Sequence, residues 1–167
     1  MRRWILIVVL ALGGLIGLAA LAGLMLPVGH TASNAVGVAV PPGRAFEVIT
    51  DFTKYPEWRT GVRSVAVEGP AGVGMVIRED GPNGVIPLRV EIFEPPTRLV
   101  LRIADPSLPF GGTWTYHLLG SQMGTAVTIT ENGEIYNPIF RAMQKLFFSP
   151  RAAIDTYLAD LKKRLGS

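Results

Sequence analysis

The sequence contains no cysteine and only two histidines, His30 and His117, among its 167 residues. Disulfides, thiolate metal sites and cysteine nucleophiles are excluded at once, and two lone histidines cannot build a His-rich metal cage. Charge is sparse as well: Asp, Glu, Lys and Arg together make 17% of the chain. The formal net charge of +3 shrinks once Arg2 and Arg3 at the N-terminus are set aside, leaving 14 basic against 13 acidic residues. That near-neutral remainder lacks the basic footprint of a nucleic-acid binder, so no nucleic-acid partner is expected. What the chain has in excess is apolar content, 49% of its residues.

Much of that excess sits in one run. From Trp4 to Leu26 there is no charge, no proline and no polar side chain. As a helix this run measures roughly 34 Å, enough to cross a hydrocarbon core of ~30 Å with some tilt. A cleaved signal peptide is the rival reading, with Arg2 and Arg3 as its basic start and Ala20-Leu21-Ala22 as a small-residue cleavage site. The apolar run continues past that site, which favours a membrane anchor over residues 1–26. Arg2 and Arg3 precede the span, and the first Lys or Arg beyond it is Arg44. The positive-inside bias therefore places the N-terminus in the cytoplasm and the rest of a single-pass chain on the outer side. Gly13 and Gly17 have the spacing that lets two membrane helices approach, although chance in a glycine-rich span is the simpler explanation.

Residues 27–31 read as a linker and 32–167 as one domain. Ala35 to Val40 alternates as a first strand, and Pro41-Pro42-Gly43 stops it. Pro42 to Thr50 and Asp51 to Trp58 read as two short helices, the second with Asp51 as N-cap. After Gly61 six runs of strand character follow: Val62–Glu68, Val73–Glu79, Val85–Phe93, Arg98–Ala104, Thr113–Leu119 and Thr125–Glu131. Turn residues separate them and no helix intervenes, so the seven strands must form an antiparallel meander. Gly69, Gly72 and Gly74 do not make a phosphate loop, because a strand rather than a helix follows them.

Parity assigns the faces. Ile86, Leu88, Val90 and Ile92 oppose Pro87, Arg89 and Glu91, and Leu99, Leu101 and Ile103 oppose Arg98 and Arg102, so one face is apolar and the other wet. The cover comes from the C-terminus. From Asn137-Pro138 onward, Ile139, Met143, Leu146, Phe147, Ile154, Tyr157, Leu158, Leu161 and Leu165 recur at steps of three and four. This predicts one long amphipathic helix, kinked at Pro150, with Ser149 capping its second segment.

The order of strand, two short helices, six strands and long helix is a helix-grip α+β fold. Its carriers are Val40-Pro41-Pro42-Gly43-Arg44-Ala45-Phe46-Glu47-Val48, running into Asp51-Phe52-Thr53-Lys54-Tyr55-Pro56-Glu57-Trp58. Gly72-Val73-Gly74-Met75 with Arg78-Glu79, the Glu94-Pro95-Pro96 break, Trp114-Thr115-Tyr116 and Gly124-Thr125-Ala126-Val127 follow. With these segments the chain resembles the Bet v 1-like, START-related superfamily, in its polyketide cyclase/dehydrase and lipid-transport branch. The resemblance implies a cavity between sheet and helix for a hydrophobic small molecule or lipid. It carries over no catalytic residue, since the enzymatic members share no single motif.

The expected inner sheet face holds Met75, Ile77, Leu88, Val90, Leu101, Ile103, Trp114, Tyr116 and Ile129. Met143, Phe147, Tyr157 and Leu161 come from the helix, and Trp58 closes one end. Glu79 shares parity with Met75 and Ile77. Turned inward it would meet a ligand hydroxyl or act as a base, and at a strand end it would simply be wet. Glu131 invites the same two readings. His117 falls on the outer face and His30 in the linker, neither with a function. The basic side of the C-terminal helix suits either anionic headgroups or plain solvent. No metal and no cofactor is expected. The chain reads as a membrane-anchored binding module for an apolar or lipid-like molecule, touching the membrane through residues 4–26. The alternatives are a cyclase- or dehydratase-type enzyme using Glu79, Tyr116 or Glu131, and an interaction protein pairing through Gly13 and Gly17.

Overall fold

The computed structural model describes residues 2–147 and 149–166, apart from the side chain of Phe147. It begins with a 24-residue helix, α1 (Arg2–Met25), long and apolar enough to cross a membrane. Strand β1 (Gly29–Val38) follows after three residues. Three of the five residues expected as linker are thus strand, with Gly29 opposite Glu134 and Thr31 opposite Asn132. Gly29-His30-Thr31 carries no apolar alternation, so pairing with a neighbour, not pattern, makes it a strand.

Next come α2 (Pro42–Thr50), a 3-10 turn (Phe52–Lys54) and the single-turn helix α3 (Tyr55–Trp58). Asp51 does not cap the turn after it; its carboxylate accepts from the Thr53 hydroxyl at 2.8 Å instead. Pro56 sits in the first turn of α3, where its missing N–H leaves no bond unmade. The meander β2 (Ser64–Glu68), β3 (Val76–Gly81), β4 (Gly84–Glu94), β5 (Arg98–Ile103), β6 (Phe110–Ser121) and β7 (Gly124–Ile135) completes the sheet. The strand order is β1-β7-β6-β5-β4-β3-β2, antiparallel throughout. Gly69, Gly72 and Gly74 take positive φ in the β2–β3 connection, as a turn requires.

One face expectation is corrected. The β4–β5 register shifts between Val90 and Ile92, so Ile92 pairs with Val100 and Phe93 with Leu99. An extra residue at a bulge reverses the parity beyond it. Phe93 therefore turns to the core, edge-on to Phe46 at 5.4 Å, in the place parity gave to Ile92.

The C-terminal helix is also corrected. It is two helices, α4 (Pro138–Phe147) and α5 (Ala152–Arg164), rather than one kinked rod. Pro150 supplies no N–H and would clash with the preceding turn. The Ser149 hydroxyl accepts from Arg151 N at 3.3 Å as the chain restarts. Helix α5 grips the sheet, with Ile154, Tyr157, Leu158 and Leu161 buried in the core. Asn34 Nδ2 donates to Asp155 at 2.7 Å, and Thr60 N donates to Asp160 at 2.6 Å, fixing α5 across the sheet. Helix α4 packs mainly against α1 and touches the sheet at β7.

Candidate functional site

Between the sheet's concave face and the C-terminal segment lies a cavity of about 600 Å³. Its long wall is apolar, because β4, β5 and β6 point alternate residues inward: Leu88, Leu101, Ile103 and Trp114. The strand ends add Ile86 and Ile135, and the rim carries the exposed residues Asn83, Glu134, Phe140 and Met143.

The inner end is polar, and its chemistry is concentrated in one ion pair. Arg59, one residue beyond α3, donates from Nη1 to Glu79 Oε2 on β3. Both side chains are largely buried, 17% and 19% exposed. The guanidinium lies over two rings, 4.6 Å from the Tyr55 centroid and 4.7 Å from that of Tyr157. Burial works most strongly against the Arg59 cation, and Glu79 leads the surrounding groups that together outweigh it, so the guanidinium is held charged. Tyr55 donates its hydroxyl proton to Ile49 O at 2.7 Å, with the Tyr157 hydroxyl 3.3 Å away. Burial drives the phenols of Tyr55, Tyr116 and Tyr157 far above their ordinary range, so all three are neutral donors.

A second polar point lies on β7. Glu131 stands opposite Trp114 in register and lines the cavity. Burial raises its carboxyl, partly offset by His30 and the Trp114 indole N–H. A carboxyl shifted this way keeps its proton to higher pH and can donate it.

The structure distributes the expected site residues unevenly. Glu79, Leu88, Leu101, Ile103, Trp114, Tyr116 and Met143 line the cavity. Met75, Ile77, Val90, Ile129, Tyr157 and Leu161 are filled into the core and do not reach the wall. Trp58 stands behind the wall, edge-on to Tyr55 and Tyr157, and faces a separate polar depression with Arg44, Glu47 and Arg164. The Phe147 side chain lies outside the described residues. Glu79 is not wet at a strand end, because Arg59 reaches over it. His30, read as incidental, lines the cavity, its ring seated against Gly133, where a Cβ would come within 2.4 Å of it. His117 is exposed on the outer face.

Besides His30, the wall and rim residues that sequence reasoning missed include Tyr55, Arg59, Ile86, Ile135 and Phe140. Tyr55 opens a helix of one turn and Arg59 follows it, a segment too short for any periodicity to show which way they point. Among the described residues no group of three or more His, Asp or Glu could hold a metal ion.

A curved antiparallel sheet closed by a C-terminal helix around such a cavity defines the helix-grip class of α+β domain. The chain belongs to the polyketide cyclase/dehydrase and lipid transport family, whose model matches residues 29–166. The match starts where β1 starts and leaves α1 outside. Among solved structures, the chain is similar to the di-domain ARO/CYC BexL from the BE-7585A biosynthetic pathway, with TM-score 0.68 and 15% identity over 87% of this chain and 53% of that one. It spans about half the length of that protein and of the di-domain ARO/CYC StfQ. Norcoclaurine synthase from Thalictrum flavum matches at TM-score 0.65 and 11% identity over 84% of this chain and 88% of that one. Ara h 8.0201 matches at TM-score 0.61 and 12% identity over 82% and 97% of the two chains. At these identities the likeness is one of fold. No curated protein matches the chain.

Proposed function

We propose that the chain is a membrane-anchored binding module for an apolar or lipid-like small molecule with one polar group. The observation that carries this reading is the cavity itself, lined mainly by aliphatic and aromatic side chains with a single charged pair at its inner end. Binding sites for such molecules have this composition, with few polar groups to fix orientation. Arg59 and Glu79 neutralise each other, so they suit a ligand hydroxyl or carbonyl better than a bare charge. Helix α1 serves as the anchor, with the N-terminus in the cytoplasm and the domain on the outer side. Its support is the uncharged apolar run of 23 residues from Trp4 to Leu26, preceded directly by Arg2 and Arg3.

A second reading has one observation in its favour. The raised carboxyl of Glu131 on the cavity wall supports a general-acid role in a cyclase- or dehydratase-type reaction. Norcoclaurine synthase, which shares the fold, has been solved with dopamine and hydroxybenzaldehyde bound.

Native mass spectrometry of the full chain in detergent, followed by extraction, tests the first reading. An apolar compound should accompany the wild type and be lost from an Ile103→Trp variant, whose indole fills the cavity without leaving the wall. A wild type that retains nothing from a broad panel of lipids and isoprenoids contradicts the binding module. Turnover of a bound polyketide-like compound, abolished by Glu131→Gln, would establish the enzyme instead.

A further inference from the structure

We infer that α4 is seated in the bilayer leaflet on the domain's side, so that the mouth of the cavity opens onto lipid rather than onto water. The inference rests on α1 being the anchor proposed above, and it adds where the ligand enters.

The first observation is the joint between the two helices. Helix α4 packs on the last two turns of α1, where Ala19 and Ala20 are half-buried and Gly23 is buried. A Cβ on Gly23 would lie 1.7 Å from the carbonyl oxygen of Pro138, so the two backbones are in direct contact. At 1.5 Å per residue, Gly23 stands roughly 29 Å along the helix from Trp4, close to the ~30 Å of a hydrocarbon core. With Trp4 at one boundary, α4 is therefore held at the other.

The second observation is what α4 shows to its surroundings. Phe140 is 49%, Met143 42% and Leu146 73% exposed, three large apolar residues at steps of three on one side. Val28 and Tyr136, near the same joint in the chain, are 43% and 48% exposed. Lys145 and Arg151 stand exposed nearby. An amphipathic helix with basic residues beside its apolar side seats itself among headgroups, its apolar side buried roughly 5–10 Å deep. Tyrosine favours the same level. The patch is continuous with α1, whose own surface requires lipid, and this continuity identifies lipid as the occupant.

The third observation joins patch to cavity. Phe140 and Met143 belong to both, and Ile135, on the cavity wall, donates its N–H to Val28 O at 2.9 Å. The mouth and the exit of α1 are thus at the same end of the sheet. A lipid-like molecule can pass from the leaflet to the cavity along the side of α4 without crossing water.

The absence of cysteine makes the test clean, since each introduced thiol is the sole labelling site. Full-length Met143→Cys, Leu146→Cys and Met123→Cys variants, each carrying a fluorophore, are reconstituted in phosphatidylcholine/phosphatidylglycerol vesicles containing shallow spin-labelled lipid. Met123, 90% exposed in the β6–β7 hairpin, is at the far end of the sheet. Quenching at 143 and 146 should exceed that at 123 several-fold. Equal quenching at the three positions overturns the inference, as does quenching that follows protein density rather than spin-label content, which would mean a second copy covers α4. Ligand occupancy measured on the same samples separates the two readings. An empty cavity with 146 quenched removes the binding module and leaves α4 in the leaflet, whereas a filled cavity with 146 unquenched does the reverse.

Discussion

Arg59 lies over the rings of Tyr55 and Tyr157 and is ion-paired with Glu79, and its removal strands a largely buried carboxylate. Arg59→Met should therefore lower stability by about 2–4 kcal/mol in urea unfolding, with most of the loss recovered in Arg59→Met/Glu79→Gln. A double variant as unstable as the single one would show that the Arg59 stem, not the pair, matters. Glu131 gives a pH-dependent prediction of the opposite sign. Its folded-state pKa is raised above the ordinary 4.5, so the ionised form costs stability above that folded value. The cost is relieved as pH falls through it and is gone below the unfolded value. Glu131→Gln should thus raise Tm by about 1–3 °C at neutral pH and change nothing near pH 4. An equal gain at both pH values would exclude ionisation as the cause. Of these two residues only Glu131 was visible in the sequence, through its parity with Val127 and Ile129. Arg59 follows a helix of four residues, and no pattern of period two or 3.6 can be read from so short a segment.

At the level of elements, the two halves of the C-terminal segment look alike in sequence and do different work. Both carry apolar residues at helical spacing, yet Leu161 is fully buried on α5 and Leu146 is 73% exposed on α4. Leu161→Ala should cost about 2–4 kcal/mol in chemical denaturation, and Leu146→Ala no more than about 0.5 kcal/mol. Comparable losses at the two sites would mean that α4 covers the sheet after all. The sequence predicted an amphipathic stripe and a disruption at Pro150, and both exist. It did not reveal that the break would free α4 to meet α1, because periodicity reports that a side is apolar and not what that side will touch. The β4 bulge was hidden for a related reason. Alternation in Ile86, Leu88, Val90 and Ile92 is unbroken, and only the pairing with β5 inserts the extra residue.

The whole molecule couples a long apolar helix to a cavity-bearing sheet. The antiparallel order of β2 to β7 was legible because each connection carries glycine or proline and no helix intervenes, whereas the place of β1 beside β7 was not, since helices separate it from β2. The cavity's extent was not, since six of the residues expected to line it close up into the core. Alkaline carbonate extraction of membranes should leave the full chain in the pellet, with an N-terminal sequence that still includes Arg2 and Arg3. A soluble product starting near Gly23 would replace the anchor by a signal sequence and remove the basis for seating α4 in lipid.

Leu26, Pro27 and Val28 are all that separate α1 from β1. Three residues, even fully extended, span only about 10 Å, so an anchored domain stays within that distance of the bilayer surface. The search for ligand then becomes two-dimensional. A sparingly soluble compound is met at its concentration within the membrane, where it accumulates, and not at the far lower level dissolved in water. Tethering raises the effective concentration without adding a contact. A cavity of ordinary, even weak, intrinsic affinity can stay filled under such conditions, and its occupancy follows the composition of the membrane to which it is tied.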